Sequence, residues 1–302
     1  MIIGVFRRRD PSLDGRASHD FDTAFSSVRY VHRCMLTMKG VPAIEGARVD
    51  GVFPMGNRKP DPDGATTVLQ SEWKDVLAIH FRVPQATLDV SPFEPDFFCG
   101  AAYVSVFVLR MCHTRPTGTG SLGEMLVRAV IPEPTLNIRT YVRHKTRPGI
   151  FFLGEWMPSE IGASLARMTA GLPFYNGHIE QEHDCLGQLH GRVVDAQTGM
   201  AFSYEASVAN SPPPRPAEAG SLDEFLMERD TAFIHDGGLI REQRVEHPPW
   251  QIQRAEVKLI ELGLLRLSRD WLDDANLVGA HFAPGSLAVE IEAPRVIEEI
   301  PC

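Results

Sequence analysis

The sequence predicts an α+β domain dominated by antiparallel strands, and three features predict it. In "LNIRTYV" Leu136, Ile138, Thr140 and Val142 alternate with Asn137, Arg139 and Tyr141, so one face is suited to packing and the other is polar. The run "GAAYVSVFVLRM" (100–111) is apolar at consecutive positions, the pattern of a strand covered on both faces. Short apolar runs separated by turn residues recur to the C-terminus with few helices between them, and neither an internal repeat nor a regular βαβ alternation interrupts them. The domain is expected over residues 69–302. Residues 1–68, rich in turn formers and ending in "GNRKPDPDGAT", are expected to be a poorly structured N-terminal extension.

Within the domain, order is expected from about Trp73, with Ser71 as a helix cap or turn before an apolar segment. A hairpin follows the 100–111 strand: strand 136–142, a loop over 143–149, and strand 150–156. "SEIGASLARMTAGLP" reads as a helix capped by Ser159, with Ile161, Leu165 and Met168 on one face and Gly171 and Pro173 at its end. A second hairpin joins "CLGQLHGRVVD" to "MAFSYEASVA" across the turn "AQTG", which places His190 opposite Glu205 and Arg192 opposite Ser203. Ser221 and Glu224 form a capping box at the start of "SLDEFLMERD".

The register of the first hairpin determines what its polar face can do. With a loop over 143–149, Val142 faces Ile150, Thr140 faces Phe152, Ile138 faces Gly154 and Leu136 faces Trp156. The opposite face then carries Asn137, Arg139 and Tyr141 beside Phe151, Leu153 and Glu155. Arg139 and Glu155 become diagonal neighbours, roughly 7–8 Å apart at the backbone. Three readings follow: a structural Arg139–Glu155 ion pair, a solvent-facing strand, or the wall of a cavity. In the last, Arg139 offers its fork to a carboxylate or phosphate and Tyr141 adds a hydroxyl.

Composition narrows the classes of function. A net charge of −9 and a pI near 5.7 argue against nucleic-acid binding through a broad basic surface. No run approaches the roughly 18 apolar residues of a membrane span, and the five scattered cysteines fit a reducing compartment, so a soluble cytoplasmic protein is expected. No motif calls for a cofactor or metal. "GTGSLG" (118–123) spells a dinucleotide fingerprint but lacks the tight strand–turn–helix context and reads as a loop. His178 and His183, five apart in "HIEQEHDCLGQLH", suit neither one strand face nor a metal-binding helix, so a polar connector is expected. The His190–Glu205 pair suits an acid/base unit or a solvated sheet face. Nothing in the sequence sets the oligomeric state.

The chain resembles the YqjF-like family of unknown function, within the acetoacetate decarboxylase-like superfamily. "LNIRTYV" followed by "PGIFFL", then "ARMTAGLPFY", "FLMERD" and "HPPW", carry the resemblance from about residue 72 to 295. It implies a largely antiparallel, barrel-like sheet with flanking helices and an interior able to hold a small molecule. It also implies that Asn137, Arg139 and Tyr141 belong to a signature strand, which favours the cavity reading. Thr135 stands where the family pattern has an acid, and Glu155, opposite Asn137, is the expected electrostatic substitute.

Acetoacetate decarboxylases use a Schiff-base lysine, whose amine must be kept neutral. The lysines here are Lys39, Lys59, Lys74, Lys145 and Lys258, with none between residues 146 and 257, where the second hairpin would supply the nucleophile. Lys258 is the one substitute, and an outward-facing edge position is the favoured reading for it. The expected function is therefore binding of a small anionic or carbonyl-containing molecule, with Asn137, Arg139, Tyr141 and Glu155 as ligand-binding residues and catalysis left open. A noncatalytic domain with an internal Arg–Glu network is the alternative.

Overall fold

The computed structural model describes residues 67–300 apart from 129, 132 and 269; the expected extension over 1–68 lies almost wholly outside the described residues. In chain order the strands are β1 (Thr67–Val83), β2 (Glu94–Pro95), β3 (Ala102–Pro116), β4 (Pro134–His144), β5 (Arg147–Met157), β6 (Phe174–His183), β7 (Gln188–Asp195), β8 (Ala201–Ser207), β9 (Thr231–Asp236), β10 (Leu239–Glu246), β11 (Gln253–Leu262), β12 (Asn276–Glu292) and β13 (Arg295–Glu299). The helices are α1 (Gly120–Arg128), α2 (Glu160–Ala170) and α3 (Leu222–Met227).

All strands belong to one 13-stranded sheet that closes on itself twice. One ring runs β4–β5–β6–β7–β8–β11–β12–β1–β3 and back to β4. A second runs β4–β5–β9–β10–β12–β1–β3, closed by the single Ile150–Ala232 bridge and by two β10–β12 pairs. The pairings are antiparallel except β5–β6 and β5–β9. This is the barrel-like, largely antiparallel sheet that the resemblance implied.

The shared wall explains why the 100–111 run is apolar on both faces. Val104, Val106 and Val108 of β3 face the main core with Leu136, Ile138, Leu153 and Trp156. Phe107 and Leu109 face the other way, toward Trp250 and Val76. A strand between two rings has no face left for water.

The β4–β5 hairpin departs from the expected register in an instructive way. The strands run on to a two-residue turn, Lys145–Thr146, with Lys145 at φ 59°, rather than a loop over 143–149. Near the turn Tyr141 pairs with Ile150 and Thr140 with Phe151, one residue away from expectation. A β-bulge between the Ile138 and Arg139 rungs then inserts Leu153 as an extra residue, and beyond it the expected pairs appear: Ile138–Gly154, Asn137–Glu155 and Leu136–Trp156. The bulge inverts the turn half of β5. Phe152 and Ile150 share Glu155's face, whereas Leu153 and Phe151 pack into the main core.

The second hairpin matches expectation, with His190 opposite Glu205 and Arg192 opposite Ser203. So do the helix caps: Ser159 accepts from Gly162 N, Gly171 sits in the left-handed region, and Ser221 accepts from Glu224 N. Two segments differ. Residues 67–72 are strand rather than turn, with Ser71 buried and bonded to Thr114 Oγ1 at 2.9 Å. "GTGSLG" runs into helix α1, which links antiparallel strands rather than forming a βαβ unit. Gly162 sets how α2 seats on the turn after α1, since a Cβ there would fall on the Val130 carbonyl. Gly162→Ala is expected to cost about 1–3 kcal/mol, read as a lower urea midpoint.

Candidate functional site

Inside the second ring lies a cavity of about 500 Å³. Trp73 and Val76 of β1, Phe107 and Leu109 of β3, and Phe152 and Phe174 make much of its wall apolar. On the shared wall, alternation along β4 points Asn137 and Arg139 inward and the β5 register adds Glu155, while Arg229, Asp230, Gln243 and His247 bring polar groups from other segments. Three of the expected site residues therefore meet at one cavity.

The fourth does not line it. Tyr141 shares their strand face but lies under α3, its ring 4.8 Å from that of Phe225. Its hydroxyl donates to the Leu226 carbonyl at 2.7 Å and sits 2.7 Å from Ser105 Oγ.

The expected Arg139–Glu155 pair does not form among the described residues. The bulge adds a residue between their rungs, and the Arg139 guanidinium lies flat on the Phe107 ring, 3.6 Å from its centroid. Arg139 donates to the Leu226 carbonyl at 3.2 Å. The guanidinium is buried with no carboxylate bonded to it, and burial lowers its pKa. Burial alone pushes the Glu155 carboxyl well above the usual carboxylate range, with no cation offsetting it. Asn137 Oδ1, Arg139 Nε and Glu155 Oε2 are each buried without a hydrogen-bond partner. Buried polar atoms are normally satisfied, at a cost of about 1–3 kcal/mol when they are not. Asn137, Arg139 and Glu155 thus bring three such atoms from one strand pair to one cavity wall, and Trp73 Nε1 and Arg229 Nε are two more on residues that line the cavity.

The second nearby cation is already committed. Arg229, also at the cavity, bonds Asp96 Oδ2 at 3.0 Å and stacks on Phe225. It lies just past the end of α3, and its partner Asp96 is a buried carboxylate.

Behind Tyr141 runs a file of side chains that the sequence did not reveal. Ser105 Oγ lies 2.7 Å from His80 Nδ1, and His80 Nε2 lies 3.0 Å from His281 Nδ1. His281 Nε2 lies 3.3 Å from Asp223, which also holds Arg254. Because the Tyr141 proton goes to the Leu226 carbonyl, Tyr141 accepts from Ser105, and Ser105 in turn accepts from His80 Nδ1–H. The Leu226 carbonyl thus accepts from both Tyr141 and Arg139. Burial, then the charges of His281 and Arg139, holds His80 well below the usual imidazole range, and burial likewise lowers His281. The file fixes Tyr141, and through the shared Leu226 carbonyl it fixes the base of Arg139.

The remaining candidates lie elsewhere. Lys258 is exposed, away from the cavity, and pairs with Glu205 at 3.2 Å, so the His190–Glu205 rung belongs to a solvated sheet face. Borohydride reduction in the presence of pyruvate is expected to leave Lys258 without added mass by peptide mapping. His183 pairs with Asp75 and His178 with Glu180. Ile161, Leu165 and Met168 of α2 are exposed, and small residues, Gly162, Ala163 and Ala170, make the buried contacts.

A family model, DUF2071, described as an uncharacterized conserved protein, matches residues 70–286. The uncharacterized protein YqjF of Bacillus subtilis (strain 168) is 28% identical over 207 residues, covering 66% of this chain and 80% of that protein. Among solved structures, the enduracididine biosynthesis enzyme MppR complexed with pyruvate matches with a TM-score of 0.51 at 16% identity, covering 79% of this chain and 95% of that one. Acetoacetate decarboxylase from Legionella pneumophila matches with a TM-score of 0.51 at 12% identity, over 86% and 99%. At these identities the structural matches establish a shared fold. No helix among the described residues is long and apolar enough to cross a membrane.

Proposed function

This chain belongs to the DUF2071 family of uncharacterized conserved proteins, so its function has to be read from its site, and we propose that the cavity beside Arg139 binds a small molecule carrying a carboxylate or a polarised carbonyl. The observation that carries this reading is a buried guanidinium, open to a cavity and with no carboxylate hydrogen-bonded to it among the described residues, Glu228 acting on it only through space. A ligand oxygen accepts from the Arg139 fork. Glu155, kept in its protonated form by burial, donates to a second oxygen, and Asn137 Oδ1 accepts from a ligand donor. That a protein of the same fold is described complexed with pyruvate, a keto acid, supports the carboxylate class.

The alternative, a structural domain held by an internal Arg–Glu network, loses its main support because the Arg139–Glu155 pair is not made. Schiff-base chemistry at Lys258 loses its support because the amine is solvated and distant from the cavity. The reading concerns binding within the fold and adds no reaction.

A thermal-shift screen of the wild type and Arg139→Gln against small carboxylates, keto acids and inorganic phosphate tests it. A ligand at ~100 times its dissociation constant adds about 2.7 kcal/mol of stability. The expected result is a shift with carboxylates in the wild type that is lost in a folded Arg139→Gln. No shift with any of these ligands, together with a variant that melts far earlier, would make Arg139 a structural residue.

A further inference from the structure

We infer that the ligand is a monocarboxylic acid with an extended apolar body, a medium-chain aliphatic or aryl-alkyl acid, rather than a short keto acid or a diacid. The inference rests on the carboxylate reading above and deepens it.

Three features of the cavity converge on this class. Its size comes first. About 500 Å³ is a volume that on the order of 15 water molecules would fill, far more than a three-carbon acid needs. The distribution of polarity comes second. Three of the unsatisfied polar atoms lie together on the β4–β5 wall, with Trp73 Nε1 and Arg229 Nε apart from them, whereas Leu109, Met111, Val127, Phe152 and Phe174 line other parts of the surface. A ligand that accepts from Arg139 and Glu155 and fills the apolar part has one polar head and one apolar body.

The charge count comes third. Among the described residues that line the cavity, Arg139 is the arginine with no carboxylate hydrogen-bonded to it, since Arg229 is held by Asp96 at 3.0 Å. Glu155 offers a neutral donor to the same head group without adding a second positive charge. A second carboxylate on the ligand would meet no free arginine fork and would be desolvated against a mainly apolar wall, which is unfavourable.

The mouth agrees with the interior. Leu126 of α1 and Leu165 of α2 line the cavity yet are 66% and 49% exposed. An apolar tail leaving or entering the cavity therefore meets apolar surface at the rim. This also accounts for the outward stripe of α2, whose Leu165 serves the opening rather than the core.

The test is a calorimetric titration of the full chain at pH 7 with the straight-chain acids from acetate to decanoate, with suberate and octylammonium as head-group controls. Each buried methylene contributes about 0.8 kcal/mol, so affinity is expected to rise about fourfold per carbon until the cavity is filled. One site per chain is expected. Suberate is expected to bind at least about 100-fold more weakly than octanoate, and octylammonium no better than suberate. A flat series, in which acetate and pyruvate bind as tightly as octanoate, would overturn the inference and leave the carboxylate reading standing. Octylammonium binding as tightly as octanoate would also overturn it, by showing adsorption to apolar surface. No heat with any carboxylate, short or long, would remove both readings.

Discussion

Arg139→Met is expected to leave the ligand-free protein as stable as the wild type or up to ~4 kcal/mol more stable, while abolishing its response to carboxylates. The balance can be argued group by group. Stacking of the guanidinium on Phe107 contributes about 0.5–2 kcal/mol, and its bond to the Leu226 carbonyl about 1.5–3 kcal/mol. Against these stands the several kcal/mol that desolvating one ion costs, with no carboxylate bonded to Arg139 to offset it. Methionine retains the contact with Phe107, and the Leu226 carbonyl still has the Tyr141 hydroxyl. A residue that held the sheet together through a buried pair would instead cost about 3–5 kcal/mol on removal. Urea denaturation of the two proteins without ligand separates these outcomes, since their expected midpoints move in opposite directions.

Glu155→Gln is expected to change how stability depends on pH. Burial raises the folded-state pKa of Glu155 well above its ordinary value near 4.5. A raised pKa means that the folded protein binds this proton more tightly than the unfolded chain does. The resulting stabilisation is fully present below pH 4.5 and is lost as pH rises toward the folded-state pKa, at up to about 1.4 kcal/mol per pH unit. Glutamine does not titrate, so the variant lacks this decline and becomes the more stable protein at neutral pH, by at least about 1–3 kcal/mol. His80 and His281 act in the opposite sense. Their lowered values favour the fold above pH 6.5 and cost stability as pH falls below it. They are common to both proteins and cancel in the difference. Unfolding curves for the pair between pH 4.5 and 8 are expected to diverge as pH rises. Parallel curves would show that Glu155 has a counter-charge.

Much of this architecture was legible from periodicity. The alternation of "LNIRTYV" identified the strand and the face that carries Asn137 and Arg139, and the doubly apolar run over 100–111 identified a wall covered on both sides. The second hairpin was legible to the register because its turn was read correctly, and Ser159, Gly171 and Ser221 marked helix ends through side-chain and backbone chemistry that is local.

The first hairpin failed for two reasons that partly cancelled. Lys145 adopts a positive φ without being glycine, which hid a two-residue turn inside what read as a loop. The bulge at Leu153 then shifted the strands back by one residue. Gly154, in a strand interior, was the available signal, since a glycine there often marks a bulge. The same bulge separated Arg139 from Glu155, so that the expected ion pair does not form.

What periodicity could not supply was the identity of the covering element. The stripe Ile161, Leu165 and Met168 is a genuine helix face, but only the tertiary fold shows it turned outward, with Gly162 and Ala163 making the contact. Tyr141 likewise lies on the face expected of it, beneath Phe225 and Leu226 of α3, which are more than 80 residues further along the chain. His80 and His281 come from β1 and β12, 201 residues apart, and no local pattern couples them.

Arg139, with no carboxylate hydrogen-bonded to it among the described residues, is proposed to take up a ligand anion. The most direct test of this proposal is the side-chain Nε–H resonance of Arg139 in ¹⁵N-labelled protein, assigned by its disappearance in Arg139→Met and followed during addition of octanoate. The resonance is expected to move downfield and saturate as the buried Nε gains a carboxylate acceptor, and to stay in place when sodium chloride is added to the same ionic strength. An Arg139 resonance that does not move with octanoate, butyrate or pyruvate would contradict the account.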